Sequence, residues 1–224
     1  MRIYSDMKQL EETREKGHHL LLGVTGGIAT GKSLVAQMLK DLGAHTIDFD
    51  LLSRFVVEPD KPAWNEMVAY FGEEILQKDR TLNRKYLGEI IFSDTEKRKR
   101  LEGFTHPRIQ EEFFKLAQEY SARDPSAIIQ AIVPLLFEVH LGYLFHKILL
   151  VYAPEELQIR RLIERDRISR EMAIKIIQSQ MPIEEKKGYA DFIVDNSGSP
   201  EATRRQVEEI WKKLKAIQKE QDSP

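Results

Sequence analysis

Apolar positions along this chain fall into two regimes. Short, nearly unbroken apolar runs occur at Leu20–Thr25, Ile128–Val133, Lys147–Val151 and Phe192–Val194, with Ala44–Asp48 a weaker one. Runs of that length and continuity predict strands covered on both faces, as in a parallel sheet. Between them, apolar residues recur at helical spacing: after Ser33 to about Leu42, through most of 50–123, over Glu155–Gln180, and from Glu201 to Gln218. Gly43 is placed to close the first helix in the left-handed conformation. Pro154 is expected at the first helical position, with Glu155 and Glu156 favourably in the first turn. The stretch after it reads as two helices broken near Asp166–Ser169, with Ser169 as N-cap. Strands alternating with helices predict a doubly wound, parallel, five-stranded α/β sheet that binds ligand at the carboxyl ends of its strands.

Composition narrows the function. At 224 residues the chain fits one domain, or a core with insertions. A hydrophobic content of 42% against 31% charged residues supports a real core. The net charge of −2 offers no global basic field, so nucleic acid and anionic membranes are not expected partners. Any phosphate site must come from a local cluster. Cysteine is absent, which excludes disulfides, thiolate metal sites and thiol nucleophiles. Met1 to Lys16 is mixed-charge and does not read as a signal peptide. The longest apolar stretch, Ala127–Val139, is interrupted by Gln130 and Glu138 and is too short to span a bilayer. A cytoplasmic protein is expected. His18-His19 has no partner at metal-ligand spacing.

One segment carries specific chemistry. Gly26-Gly27-Ile28-Ala29-Thr30-Gly31-Lys32-Ser33 spells G-x-x-x-x-G-K-S, the phosphate-binding P-loop, between a predicted strand and a predicted helix. The glycines let successive N–H groups converge on one phosphate, and the helix adds its positive end. Lys32 can reach the β- and γ-phosphates of ATP, and Ser33 can ligate Mg²⁺.

Other candidates follow the remaining strands. Asp48 and Asp50 come after the second; if that segment stays extended, both carboxylates point to one side, and one could orient a substrate hydroxyl and take its proton. The spacing equally fits Asp50 as N-cap of a helix starting at Leu51. Arg160, Arg161, Arg165, Arg167 and Arg170 crowd the region after the fourth strand. Arg161 and Arg165 share a helix face and could close over a triphosphate as part of a lid, or form a solvated face with Glu164 and Asp166 as partners. Glu138, after the third strand, suits substrate, metal water or a local structural contact. That strand holds no acidic residue, so an ordinary Walker-B aspartate is missing. Asp195-Asn196-Ser197-Gly198 can meet a purine or simply form a turn.

Taken in order, these pieces resemble the dephospho-coenzyme A kinase family. The likeness runs from about Leu20 to Val207. It is carried by the P-loop, Ile47-Asp48-Phe49-Asp50 with Arg54, Val57-Glu58-Pro59, Phe71-Gly72, Phe92-Ser93, Leu101-Glu102 and His106-Pro107. It continues through Pro134-Leu135-Leu136-Phe137-Glu138, Ala153-Pro154-Glu155-Glu156-Leu157-Gln158, Arg165-Asp166, Gln180-Met181 and Ile193-Val194-Asp195-Asn196-Ser197-Gly198. The resemblance implies a P-loop core over 20–50 and 124–218, a helical coenzyme-A-binding insertion over 51–123 and a lid over 155–182. An N-terminal extension (1–19) and a polar tail (219–224) flank these. It implies transfer of the ATP γ-phosphoryl group to the ribose 3′-hydroxyl of dephospho-coenzyme A. Asp50 would be the general base; Lys32, Arg161 and Arg165 would serve the transition state. Residues 26–33 with Asn196 would hold the nucleotide, and Asp48, Arg54, His106 and Glu138 would lie in or near the substrate site. Ala29 and Thr30 stand where the family often has Gly and Ser, which matters if the backbone needs positive φ at position 29. Ile132 stands where many members carry an acidic residue.

Three rivals remain. A different small-molecule P-loop kinase, such as a nucleoside monophosphate kinase, shares most features. A GTPase-type switch would need an Asn-Lys-x-Asp motif, which is absent, and Asp195-x-x-Gly198 lies too late in the chain. A nucleic-acid ATPase lacks its basic stripe.

Overall fold

The computed structural model describes residues 19–221; the expected extension before His19, and with it His18, lies outside the described residues, as does the end of the polar tail. The chain divides into two compact units. The first comprises the described residues up to Ile47 and from Ala117 onward; the second is Asp48–Leu116.

The first unit is built on β1 (Leu20–Gly26), β2 (His45–Asp48, whose last residue begins the other unit), β3 (Ile128–Ile132), β4 (Lys147–Tyr152) and β5 (Phe192–Asp195). Their order in the sheet is β2-β3-β1-β4-β5. β1 runs parallel to both β3 and β4, and β4 parallel to β5. β1 is therefore central, and all seven of its residues are buried. That is why it reads as an unbroken apolar run. On one face Leu20, Leu22 and Val24 pack with Leu149, Val151 and Val194 against α1 (Lys32–Asp41) and the closing helix α9 (Pro200–Gln221). On the other face Gly23 leaves room for Leu136 and Phe145, which a Cβ would strike.

Gln130, the polar interruption in β3, is fully buried. Its Nε2 donates to the Ala36 carbonyl and to Thr46 Oγ1, both at 2.8 Å. A buried amide with such partners fixes the register of β3, α1 and β2 where an apolar residue would only fill space.

Gly43 takes φ 110°, as expected of the residue after the C-cap of α1. Two helices, α6 (Glu155–Asp166) and α7 (Arg170–Gln178), follow β4, with Ser169 Oγ accepting from Met172 N–H at 3.2 Å. The expected place of Pro154 shifts by one: it is the N-cap residue, in extended conformation, and α6 begins at Glu155. A short α8 (Ile183–Lys186) leads to β5.

The second unit holds α2 (Phe49–Phe55), α3 (Pro62–Phe71), α4 (Arg84–Ser93) and the first part of α5 (Thr95–Arg123). Its core gathers Val56, Trp64, Met67, Phe71, Ile75 and Leu87, with Leu101, Phe104 and Ile109 from α5 packed against them. Pro107 does not interrupt α5, which runs 29 residues straight through it. The Gly103 carbonyl loses its donor there, and the side-chain packing of Phe104 and Ile109 on either side carries the helix across. Among the described residues no helix is long and apolar enough to cross a membrane.

His19 is buried, 6.4 Å centroid to centroid from His146, with Nδ1 3.1 Å from Ser121 Oγ. Burial pushes its pKa below the ordinary 6.5. The unfolded chain then binds the extra proton first, so this group removes stability as pH falls from about 6.5 towards the depressed value. His19→Asn, which keeps a partner for Ser121 but does not titrate, should flatten the slope of unfolding free energy between pH 5.5 and 7.5 in urea titrations. An unchanged slope would refute the assignment.

Candidate active site

The P-loop leaves β1 at Gly26 and enters α1 at Lys32. Gly31 sits in the left-handed region at φ 92°, and no side chain caps α1 behind it, which leaves that helix end to an external anion. Ala29 is also left-handed, at φ 57°. The loop therefore does need positive φ at the position where family members often carry Gly. Such a conformation costs an L-residue roughly 1–2 kcal/mol.

Side chains from elsewhere hold this backbone. Gln180, in the joint between α7 and α8, accepts the Ile28 N–H at 3.0 Å. Asn196, just after β5, donates from Nδ2 to the Thr30 carbonyl at 2.8 Å and accepts from Thr203 Oγ1 at 2.9 Å. Gln158 on α6 donates to the Ala153 carbonyl at 2.8 Å, and its Oε1 lies against Gly27 where any Cβ would clash. A Cβ on Gly31 would strike Asn196 Nδ2 in the same way. Inside the loop, Thr30 Oγ1 donates to the Gly27 carbonyl at 3.0 Å. Ile28 and Ala29 pack beneath Ile159, Leu162 and Ala173 of α6 and α7. Sequence reasoning assigned Gln158 and Gln180 no role. Both fall in stretches that carry the family resemblance, and Gln158 also stands beside Ile159 and Leu162 on an otherwise apolar helix face.

Several expected site residues are engaged differently from the expectation. Asn196 is 5% exposed and both ends of its amide are occupied by protein, so its side chain shapes the loop instead of meeting a purine. Lys32 folds back, with Nζ 3.1 Å from the Gly26 carbonyl and 2.7 Å from that of Gly27. Arg161 donates from Nη2 to the Asn196 carbonyl at 2.9 Å; its Nη1 is buried with no hydrogen-bond partner among the described residues. Arg165 forks onto Asp166 at 2.7 and 2.9 Å, which raises its pKa and lowers that of the carboxylate. Glu138 accepts the Met181 N–H at 3.0 Å and lies 2.7 Å from Nζ of fully buried Lys186, the local structural contact open in the sequence.

In the helical unit, the acidic pair corrects the extended-segment geometry. Asp48 is extended, but Asp50 already lies in the first turn of α2. Asp48 is the N-cap: its Oδ1 accepts from Asp50 N–H at 2.8 Å and Leu51 N–H at 3.3 Å. Asp50 is thereby relieved of the capping role and its carboxylate is exposed. Arg54 stands four residues on, on the same face of α2. His106 lies half-buried on α5.

For a divalent ion, the loop offers Ser33, whose hydroxyl is exposed and makes no hydrogen bond among the described residues. No cluster of three His, Cys, Asp or Glu side chains suited to a metal occurs among them. Ile132 ends β3 without a carboxylate. The Ser33 hydroxyl is of a chemistry that fits an Mg²⁺ carried in on nucleotide phosphates.

A preshaped P-loop at the carboxyl edge of a parallel sheet, with a lysine over it and arginine-bearing helices beside it, defines a P-loop phosphotransferase. The family model for dephospho-CoA kinase matches residues 20–201. The chain is 43% identical to the dephospho-CoA kinase of Halalkalibacterium halodurans over 202 residues, covering 90% of this chain and 100% of that one. It is 47% identical to that of Shouchella clausii over 186 residues, covering 83% and 94%. The solved dephospho-CoA kinase of Campylobacter jejuni superposes with a TM-score of 0.67 at 30% identity, over 88% of this chain and 98% of that one. The chain belongs to the dephospho-CoA kinase family, whose members are ATP-dependent kinases.

Asn196→Ala would orphan the Thr30 carbonyl and leave the Thr203 hydroxyl only its longer, 3.3 Å bond to the Ser199 carbonyl. We expect about 2 kcal/mol less stability in urea unfolding and a several-fold weaker ATP affinity by calorimetry. Wild-type values for both would show the grip to be dispensable.

Proposed function

We propose that the chain transfers the γ-phosphoryl group of ATP to the ribose 3′-hydroxyl of dephospho-coenzyme A, with Asp50 as general base. The observation that carries this reading is the family match, continuous from residue 20 to 201 and thus through both compact units. The substrates are small molecules, and the reaction belongs in the cytoplasm.

The loop amides and Lys32 hold the triphosphate, the ammonium exchanging the Gly26 and Gly27 carbonyls for phosphate oxygens. Asp50 accepts the proton of the 3′-hydroxyl as its oxygen bonds to the γ-phosphorus. The bond from that phosphorus to the β–γ bridging oxygen breaks, and ADP leaves with the electron pair. Ser33 would hold an Mg²⁺ that arrives with the nucleotide, and the ion would supply neutralising charge. Arg161 is the readier of the two lid arginines, because its buried Nη1 is unspent while both forks of Arg165 face Asp166. The helices α6 and α7 serve as the lid that keeps water from competing as acceptor. His106 and Arg54 line the acceptor side, and Glu138 holds the start of α8 through Met181 and Lys186.

A coupled ADP-release assay with dephospho-coenzyme A, AMP, CMP and adenosine tests the acceptor. Dephospho-coenzyme A should lead by at least about 100-fold in kcat/KM, the margin that specific polar recognition supplies. Equal turnover of AMP or CMP would favour a nucleoside monophosphate kinase. Asp50→Asn should lower kcat by roughly 10²–10⁴-fold while ATP affinity holds. A joint loss of both would remove Asp50 from the role of base.

A further inference from the structure

The helical unit contains a cavity of about 460 Å³ between the end of α2 and the start of α4. Val57 and Leu82 contribute apolar wall, and Arg54, Arg84, Lys85 and Glu58 contribute charge. Glu58 is already paired, 3.3 Å from Lys61. Several other cations of this unit have carboxylate partners: Arg80 with Asp60, Arg108 with Glu66 and Lys97 with Asp94. Arg54, Arg84 and Lys85 have none among the described residues. Three such cations around one concavity repel one another, and the carboxylate in the lining, Glu58, is already engaged by Lys61. Such a lining is complementary to a multiply charged anion.

Asp50 fixes which anion. It precedes Arg54 by one turn on the same face of α2, a rise of about 6 Å. On a nucleotide, the 3′-hydroxyl is separated from a 5′-diphosphate by C3′, C4′, C5′ and O5′, a span of the same order. A ribose presenting its 3′-hydroxyl to Asp50 therefore brings its 5′-diphosphate to Arg54 and the cavity behind it. We propose that this cavity is the diphosphate subsite of the phosphoryl acceptor, with Arg54 and Arg84 forking onto its oxygens and Lys85 acting as a point charge. The inference rests on the acceptor reading above. It adds two residues, Arg84 and Lys85, that carried no assignment, and it makes the 5′-diphosphate ester a recognised feature of the substrate.

The test uses the full chain with Arg84→Gln, Lys85→Gln and the double variant, all at exposed positions. Calorimetry without ATP should show dephospho-coenzyme A binding weakened about 10-fold in each single variant and about 100-fold in the double one, the scale of lost charge-assisted contacts. Inorganic pyrophosphate should compete with dephospho-coenzyme A on the wild type and lose that ability on the double variant. In turnover, KM for dephospho-coenzyme A should rise in parallel while KM for ATP and the melting temperature stay put; Arg84→Lys should recover part of the loss. Wild-type affinity for dephospho-coenzyme A in the double variant overturns the proposal. So does an equal rise in both KM values, or a loss of melting temperature in both single variants. If the wild type itself fails to phosphorylate dephospho-coenzyme A, the acceptor reading fails; if it succeeds and the double variant matches it, only the diphosphate subsite fails.

Discussion

The catalytic edge of the first unit depends on how the backbone of residues 26–31 is held. A loop whose N–H groups converge on an anion is an unfavourable arrangement without the anion. It gathers like dipole ends and places Ala29 in a left-handed conformation. The protein sustains it from outside. Gln180 and Asn196 hydrogen-bond its backbone, and Gln158 packs on Gly27. These side chains come from the joint after α7, the end of β5, and α6, the segments that leave the carboxyl edge of the sheet around β1. The cradle is thus shaped before nucleotide arrives, and little of the binding energy goes into ordering it.

The same contacts tie the loop to the helices expected to move. Gln180 follows the last turn of α7, and Ile28 and Ala29 share an apolar cluster with Ile159, Leu162 and Ala173. Displacing α6 and α7 therefore disturbs the loop through both a hydrogen bond and a packed surface. Cations in this unit are parked on nearby acceptors: Lys32 on loop carbonyls, Arg161 on the Asn196 carbonyl, Arg165 on Asp166, Lys186 on Glu138. Arg165 faces a carboxylate already, so its transfer to phosphate gains less.

The helical unit manages charge differently. Several of its cations are matched to acids at the surface, where such pairs are worth little. Arg54, Arg84 and Lys85 are left unmatched around one cavity. Their residue types say nothing of this in the sequence, where Arg84 and Lys85 look like any solvated pair opening a helix.

What the sequence determined by itself is local. The P-loop with its flanking strand and helix, the five strands, Gly43, and Ser169 as N-cap were all legible, because they depend on backbone preference and, for the inner strands, on burial that repeats within a few residues; the edge strand β5, expected to be covered on both faces, keeps only Val194 buried. The resemblance extended this to the family. Where reading failed locally, it failed by small geometric margins: Pro154 sits one position earlier, and Asp48, not Asp50, caps α2. Pro107 stays inside α5 because its neighbours pack well enough to carry the helix over a missing donor. Only the tertiary structure decided what each polar side chain touches. Asn196 meets Thr30 across 166 positions, and Gln180 meets Ile28 across 152. Such partners are set by which strands lie beside β1, and no periodicity or spacing along the chain records that order.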